Sequence, residues 1–128
     1  MKDKLIALHA NSYSPYSNFR VSAIVVTKDG REFNGVNVEN ASYGATICAE
    51  RSAILSAVSA GYKKGDFKSL YVMCENDKIG MPCFSCRMVI SELFDKDTPI
   101  ICMNPAGDEE IHTVEELCPY PFSDEDLK

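Results

Sequence analysis

Two short segments, Cys48-Ala49-Glu50-Arg51 and Pro82-Cys83-Phe84-Ser85-Cys86-Arg87, constrain this chain more than any other feature. They gather three of its six cysteines beside a glutamate and two arginines. Residues three apart share one face of a helix, so a helix starting near residue 83 makes Cys83 and Cys86 a chelating pair. Pro82 suits the first helical position, where a missing N–H costs nothing. The positive end of the helix then favours thiolates at both cysteines. A second helix start at Cys48 brings a third sulfur to the same ion. Three protein ligands around zinc leave one position open, which is the arrangement of catalytic rather than structural sites. Glu50 lies two residues past Cys48, too near to serve as another ligand in most geometries. It is well placed instead to exchange protons with water at the open position. As a bare helix carboxylate Glu50 would be a solvated surface group, and its distance from a ligand argues against that.

Three thiolates leave a divalent ion with an uncompensated negative charge, so a cation nearby is needed. Helix N-termini contribute, and Arg51 is the available side chain. By spacing alone an exposed helix arginine is the commoner case for Arg51.

The remaining cysteines are Cys74, Cys102 and Cys118. Cys74 and Cys102 sit within apolar runs and read as small buried hydrophobes on strands; Cys118 precedes Pro119 and has no evident role. An even cysteine count fits a disulfide framework only in a secreted protein. The N-terminal residues lack the apolar core and cleavage site of a signal peptide, so metal binding is the favoured use. At 128 residues and 45% hydrophobic the chain is expected to form one domain, residues 1–128, with a real core. A net charge of −6 argues against nucleic-acid binding, which needs clustered Lys and Arg. No apolar run is long enough to span a bilayer, so no membrane partner is expected, and a cytoplasmic location follows.

In chain order, residues 2–9 read as a short helix with Leu5 and Leu8 on one side, and His9 as a surface or helix-end residue. Residues 14–18 form a loop before Phe19. Residues 21–27 and 31–36 are strands joined at Asp29-Gly30, a strong hairpin signal. Asn37 and Glu39 alternate onto one side of the strand end, either as solvated groups or as paired hydrogen-bonding groups for a polyol. Residues 46–60 read as a helix with Ile47, Ile54, Leu55 and Val58 as its apolar stripe, stopped by Gly61. A strand over 68–75, a helix over about 83–94 and a strand over 98–103 follow. Residues 109–112, including His112, make a further strand, and Thr113 with Glu116 a capping box. Strands alternating with helices after an opening hairpin predict a three-layer α/β sandwich with a mixed sheet.

The pattern Cys48-Ala49-Glu50 … Pro82-Cys83-Phe84-Ser85-Cys86 resembles that of zinc-dependent nucleobase deaminases. With the segments Tyr13-Ser14-Pro15-Tyr16-Ser17-Asn18-Phe19, Asn37-Val38-Glu39-Asn40-Ala41-Ser42-Tyr43-Gly44 and Thr113-Val114-Glu115-Glu116-Leu117, nearly the whole chain is similar to the small three-cysteine cytidine deaminases. The resemblance implies a five-stranded mixed sheet with both zinc helices on one face. It implies a hydrolase that acts on the C–N bond of a cyclic amidine, converting cytidine or deoxycytidine to uridine or deoxyuridine plus ammonia in pyrimidine salvage. Zinc would be held by Cys48, Cys83 and Cys86, with Glu50 as proton carrier and Arg51 hydrogen-bonded to the thiolates. Phe19, Asn37, Glu39 and Ala49 would contact the nucleoside, Asn37 and Glu39 through the sugar. The family pattern also implies a homotetramer with shared active sites, in which Phe122 reaches a neighbour's pocket.

Some positions depart from that pattern. Phe84-Ser85 replaces the common Gly-Ala between the ligands, Met88 replaces Gln, Ser22 replaces Gly, and Tyr120-Pro121 is bulkier than the usual Gly-Ala. Phe84 is expected at the pocket rim or against a neighbouring subunit. These changes leave open a different amino-pyrimidine substrate, such as an N4-modified cytidine or a blasticidin-type antibiotic. A structural zinc domain that binds a partner is the reading from another class; it needs a fourth ligand, and none has suitable spacing.

Overall fold

Five strands form one sheet in the order β2-β1-β3-β4-β5 in the computed structural model, which describes residues 1–128. They are β1 (Val21–Thr27), β2 (Glu32–Val36), β3 (Phe67–Cys74), β4 (Pro99–Met103) and β5 (Glu109–Thr113). The β1–β2 pair is the expected hairpin, and Gly30 supplies the positive φ of +93° that its turn requires. β1 also pairs antiparallel with β3, and β4 with β5. Only β3 and β4 are parallel. That pair needs a crossover connection, and helix α3 (Phe84–Leu93) provides it. The sheet is therefore mixed, as expected.

Each face of the sheet is covered, because alternate residues of the central strands are apolar on both sides. On one face Leu5 of helix α1 (Lys2–Leu8) packs with Ile24, Met73, Ile101 and Met103. Ser22 ties this helix down, its hydroxyl donating to the Leu5 carbonyl at 2.8 Å. His9, expected at the surface or a helix end, ends α1 but is buried; its Nε2 lies 3.1 Å from the Met73 carbonyl. A polar ring there needs that partner.

On the other face α2 (Ala49–Ser59), α3 and α4 (Val114–Leu117) share a larger core with Ala23, Val25, Leu70, Val72 and Ile100. Together the layers make the α/β/α sandwich. Phe67 stacks on Phe94 with centroids 4.8 Å apart. The capping box of α4 is formed: Glu116 N–H donates to Thr113 Oγ1 at 3.2 Å, and Thr113 N–H to Glu116 Oε1 at 3.0 Å.

Both helices behind the cysteine motifs begin later than the sequence suggests. α2 starts at Ala49 rather than residue 46, because Ile47 pairs with Val38, exchanging hydrogen bonds of 3.0 and 2.9 Å. Cys48 is thereby left extended at the N-cap. Pro82 is not the first residue of α3: it is buried one step before Cys83, which takes the N-cap. The apolar stripe of α2 also differs. Its buried face is Ala49, Ala53, Ile54 and Ala57, whereas Leu55 and Val58 are exposed. β2 comes too close to this helix for larger side chains: a Cβ on Gly35 would stand 2.3 Å from the Ala49 carbonyl oxygen.

Candidate active site

The N-caps of α2 and α3 meet. Cys48 Sγ lies 3.7 Å from Cys83 Sγ, and Cys83 Sγ 3.5 Å from Cys86 Sγ. All three sulfurs fall within 4.8 Å of one another. A disulfide would bring two of them to about 2.05 Å; all six cysteines are free. Zinc–sulfur bonds of about 2.3 Å in a tetrahedron put neighbouring sulfurs about 3.8 Å apart. The observed spacings match, so this donor set fits a single zinc ion. No other group of three His, Cys, Asp or Glu side chains is close enough to hold a metal.

Electrostatics divide the sulfurs: Cys48 is the one favoured as thiolate, whereas the Cys86 thiol is pushed up, first by its hydrogen bond with Cys48 and then by burial. The Cys48 thiol is held down at about 5, first by its hydrogen bond with Cys86, with Arg51 and Cys83 adding to it. Arg51 Nη2 donates to Cys48 Sγ at 3.5 Å, and the thiolates hold the guanidinium firmly protonated. Its Nε is buried without a partner.

Glu50 sits in the first turn of α2 and is 5% exposed. Burial pushes its carboxyl up to about 7, and the negative charge of Cys48 adds to the shift. A carboxyl so placed is divided between its two protonation states near neutrality, which is what a group that both takes and gives protons needs.

Of these residues Cys48, Glu50 and Cys83 line a cavity of about 330 Å³ that also reaches Phe19, Asn37, Glu39, Ala49, Val72, Cys74 and Met81. Asn37 follows β2 and has little side-chain capacity left. Its Oδ1 accepts from Val21 N–H at 3.0 Å and from the Ser12 hydroxyl, and its Nδ2 donates to the Phe19 carbonyl at 2.8 Å. Glu39 accepts from the N–H groups of Tyr16 and Ser17, both at 3.0 Å, and from the Ser17 hydroxyl. The Ser17 hydroxyl holds its pKa below the usual carboxylate range. Both side chains therefore reach the cavity while fastening the loop that carries Phe19. Ser17, Val72 and Cys74 also line the cavity, and the sequence reading did not assign them to it. The period-2 relation of Val72 and Cys74 was the available signal, but it says nothing about which face holds a pocket.

Two aromatic residues stand apart. Phe122 is 63% exposed and does not line the cavity of its own chain. Phe84 is 72% exposed and also lies outside it, with the Arg87 guanidinium 4.5 Å from its ring centroid.

Residues 2–102 match the family described as the cytidine and deoxycytidylate deaminase zinc-binding region. The chain is 41% identical to a cytidine deaminase of Sporosarcina psychrophila, covering 98% of this chain and 93% of that one. It is likewise 41% identical to a cytidine deaminase of Halalkalibacterium halodurans, covering 95% and 91%. Among solved structures, a cytidine deaminase from Burkholderia pseudomallei superposes with a TM-score of 0.90 at 42% identity, covering 94% of each chain. One from Mycobacterium leprae gives 0.78 at 38% identity, covering 93% of this chain and 94% of that one.

Proposed function

The chain belongs to the cytidine and deoxycytidylate deaminase family, and from that premise we propose that it hydrolyses cytidine and deoxycytidine to uridine and deoxyuridine. The observation that carries this reading is a buried carboxyl with its pKa near neutrality beside three thiols at zinc spacing, at the end of one nucleoside-sized cavity. Cys48, Cys83 and Cys86 would hold the zinc. Bound there, zinc supplies the Lewis acidity that makes water nucleophilic at neutral pH.

The chain's own residues do the rest. Glu50 takes a proton from the attacking water and delivers it to N3 of the pyrimidine. As the new C4–O bond forms and the C4–N4 bond breaks, Glu50 passes the second proton to the departing amino group, which leaves as ammonia. Arg51 disperses thiolate charge through its bond to Cys48. Ala49, at the start of α2, borders the base, and Phe19 forms a wall of the cavity. Asn37 and Glu39 face the sugar. The residual Nδ2 hydrogen of Asn37 and the lone pairs of Glu39 are the polar capacity open to sugar hydroxyls.

The proposed protein is one deaminase domain over residues 1–128, working on free nucleosides in the cytoplasm, away from nucleic acid and membranes. No helix is long and apolar enough to cross a membrane. It works as a homotetramer. Phe122, Tyr120 and Phe84 stand exposed on a single chain, and Phe122 completes a neighbour's pocket. Light scattering that finds a fully active monomer overturns the assembly. Purified zinc-loaded protein assayed for ammonia release from cytidine, deoxycytidine and N4-methylcytidine tests the activity. Turnover of the first two supports it; turnover of none, with zinc bound, removes it.

A further inference from the structure

Residues 75–82 cross from the end of β3 to the N-cap of α3, and their far end supplies Met81 to the cavity wall and Pro82 to the core. Residues 75–78 are exposed. Few bonds hold the crossing down. Glu75 N–H donates to the Arg20 carbonyl at 3.1 Å at its start. Arg87 Nε donates to the Pro82 carbonyl at 2.7 Å at its end. Between these points the Gly80 N–H faces the Cys74 sulfur, and one side chain reaches in from outside: Asn104 Nδ2 donates to the Asp77 carbonyl at 2.8 Å.

Asn104 is well placed to act as a fixed post. It directly follows β4 and is 3% exposed. Its other bonds build the turn into β5. Oδ1 accepts from Asp108 N–H at 2.9 Å, Nδ2 donates to Asp108 Oδ2 at 2.9 Å, and its carbonyl accepts from Gly107 N–H at 3.0 Å. A buried amide with both ends bonded cannot turn away without leaving polar groups unpaired. On the inner side the crossing is pressed against β3: a Cβ on Gly80 would lie 2.5 Å from Cys74 Sγ, and Cys74 lines the cavity. The segment is thus held between a wall of the cavity and the Asn104 amide.

We propose that Asn104 is a positioning residue for the pocket: its bond to the Asp77 carbonyl latches residues 75–82 against β3, keeps Met81 in the wall, and thereby sets the affinity for the nucleoside. This rests on the nucleoside cavity assigned above. The acting atom on the loop is a backbone carbonyl, so the Asp77 side chain is dispensable. The latch acts on binding in ground state and transition state alike, so its loss raises KM and spares kcat.

The test separates the latch from the turn. In the double variant Asn104→Asp with Asp108→Asn, the amide and carboxylate exchange places. The turn keeps a donor–acceptor pair, while nothing remains to donate to the Asp77 carbonyl. Losing one such bond is expected to raise KM for cytidine about five- to tenfold, with kcat and zinc content close to wild type. Hydrogen exchange of a peptide covering residues 75–82 is expected to quicken by a similar factor, with the β4 and β5 peptides unchanged. Asp77→Ala is expected to match wild type in both readouts. Asn104→Ser, too short to reach Asp77, is assayed for the same two quantities should the double variant not fold. Unchanged KM with unchanged exchange in either folded variant overturns the latch, as does loss of kcat alone. If wild type turns over no nucleoside, the proposed activity fails, and the exchange arm still decides whether Asn104 holds the segment.

Discussion

Replacing Gly35 by alanine probes the contact that sets the depth of the catalytic helix. Gly35 pairs with Ala23 of β1 and faces α2. Its backbone is one any residue adopts, so an added methyl is resisted only by space. That methyl would meet the Ala49 carbonyl oxygen at 2.3 Å and the Ala53 nitrogen at 2.4 Å. Contacts between carbon and neighbouring heavy atoms are comfortable at about 3.5 Å, so each is short by about 1 Å. Both partners are helix backbone and cannot rotate aside. β2 and α2 must therefore separate by about that distance along their shared face. Overpacking of this kind costs about 1–3 kcal/mol, and rigid atoms on both sides place it at the upper end. The entropic benefit of replacing glycine, roughly 0.4–1 kcal/mol, offsets only part of it. For a domain of this size that corresponds to a fall in Tm of about 5–10 °C. The shift also moves Cys48 and Glu50 at the head of α2. A displacement of about 1 Å in a catalytic group costs up to about 10²-fold in rate. Thermal melts monitored by circular dichroism, with kcat/KM for cytidine on the same samples, read both effects. A variant that melts with wild type and keeps its kcat/KM would show that β2 and α2 are not in this contact.

Glu50→Gln is expected to bind zinc and nucleoside yet lose turnover by about 10²–10⁴ or more, since one carboxyl handles both protons; activity near wild type removes it from the mechanism. Cys83→Ala is expected to lose its tightly held zinc, checked by metal analysis of dialysed protein, and a full retained equivalent refutes the ligand set. Asn37→Ala and Glu39→Ala are expected to raise KM more than they lower kcat, partly by releasing the Ser12-to-Phe19 loop that both residues fasten. Wild-type affinity in both variants excludes the sugar contact. The Cys102 thiol is pushed up to about 12 by burial, with the charge of Glu50 adding to it. A raised folded value means that stability is intact below the ordinary thiol value of 9.0 and declines as pH rises from there towards about 12. Cys102 should accordingly resist iodoacetamide at pH 8 until the chain unfolds, as mass mapping of the labelled peptide would report; rapid labelling of native protein contradicts the burial.

The cysteine and glutamate positions were legible in the sequence because their chemistry is written in local spacing: Cys83 and Cys86 share one helix start, and Cys48 and Glu50 another. The strands and the hairpin were legible from apolar runs and Asp29-Gly30. What escaped depends on partners distant in the chain. The start of α2 was misplaced because Ile47 pairs with Val38, a contact no local pattern announces. Asn37 and Glu39 were legible as polar groups on one side, but not as clasps on a loop some twenty residues earlier. The stripe of α2 was misread for a related reason. Leu55 and Val58 fit a helical period and are apolar, yet they face outward, and alanines fill the buried side.

That choice of alanine has a functional consequence. A helix that buried leucines against β2 would stand further from the sheet, and its N-terminus would rise with it. Ala49 and Ala53 on the helix, facing Gly35 on the strand, allow backbone to approach backbone. Only at that distance does the first turn of α2 carry Glu50 to 5% exposure, where the loss of water moves its carboxyl to about 7. The proton chemistry proposed for Glu50 thus depends on small residues, Ala49 beside it and Ala53 three positions further along the helix. Glu50 on a helix lifted towards solvent would regain an ordinary carboxylate pKa and become a weaker proton donor at neutral pH. Gly35→Ala should therefore depress catalysis even in the fraction of molecules that remain folded and zinc-loaded.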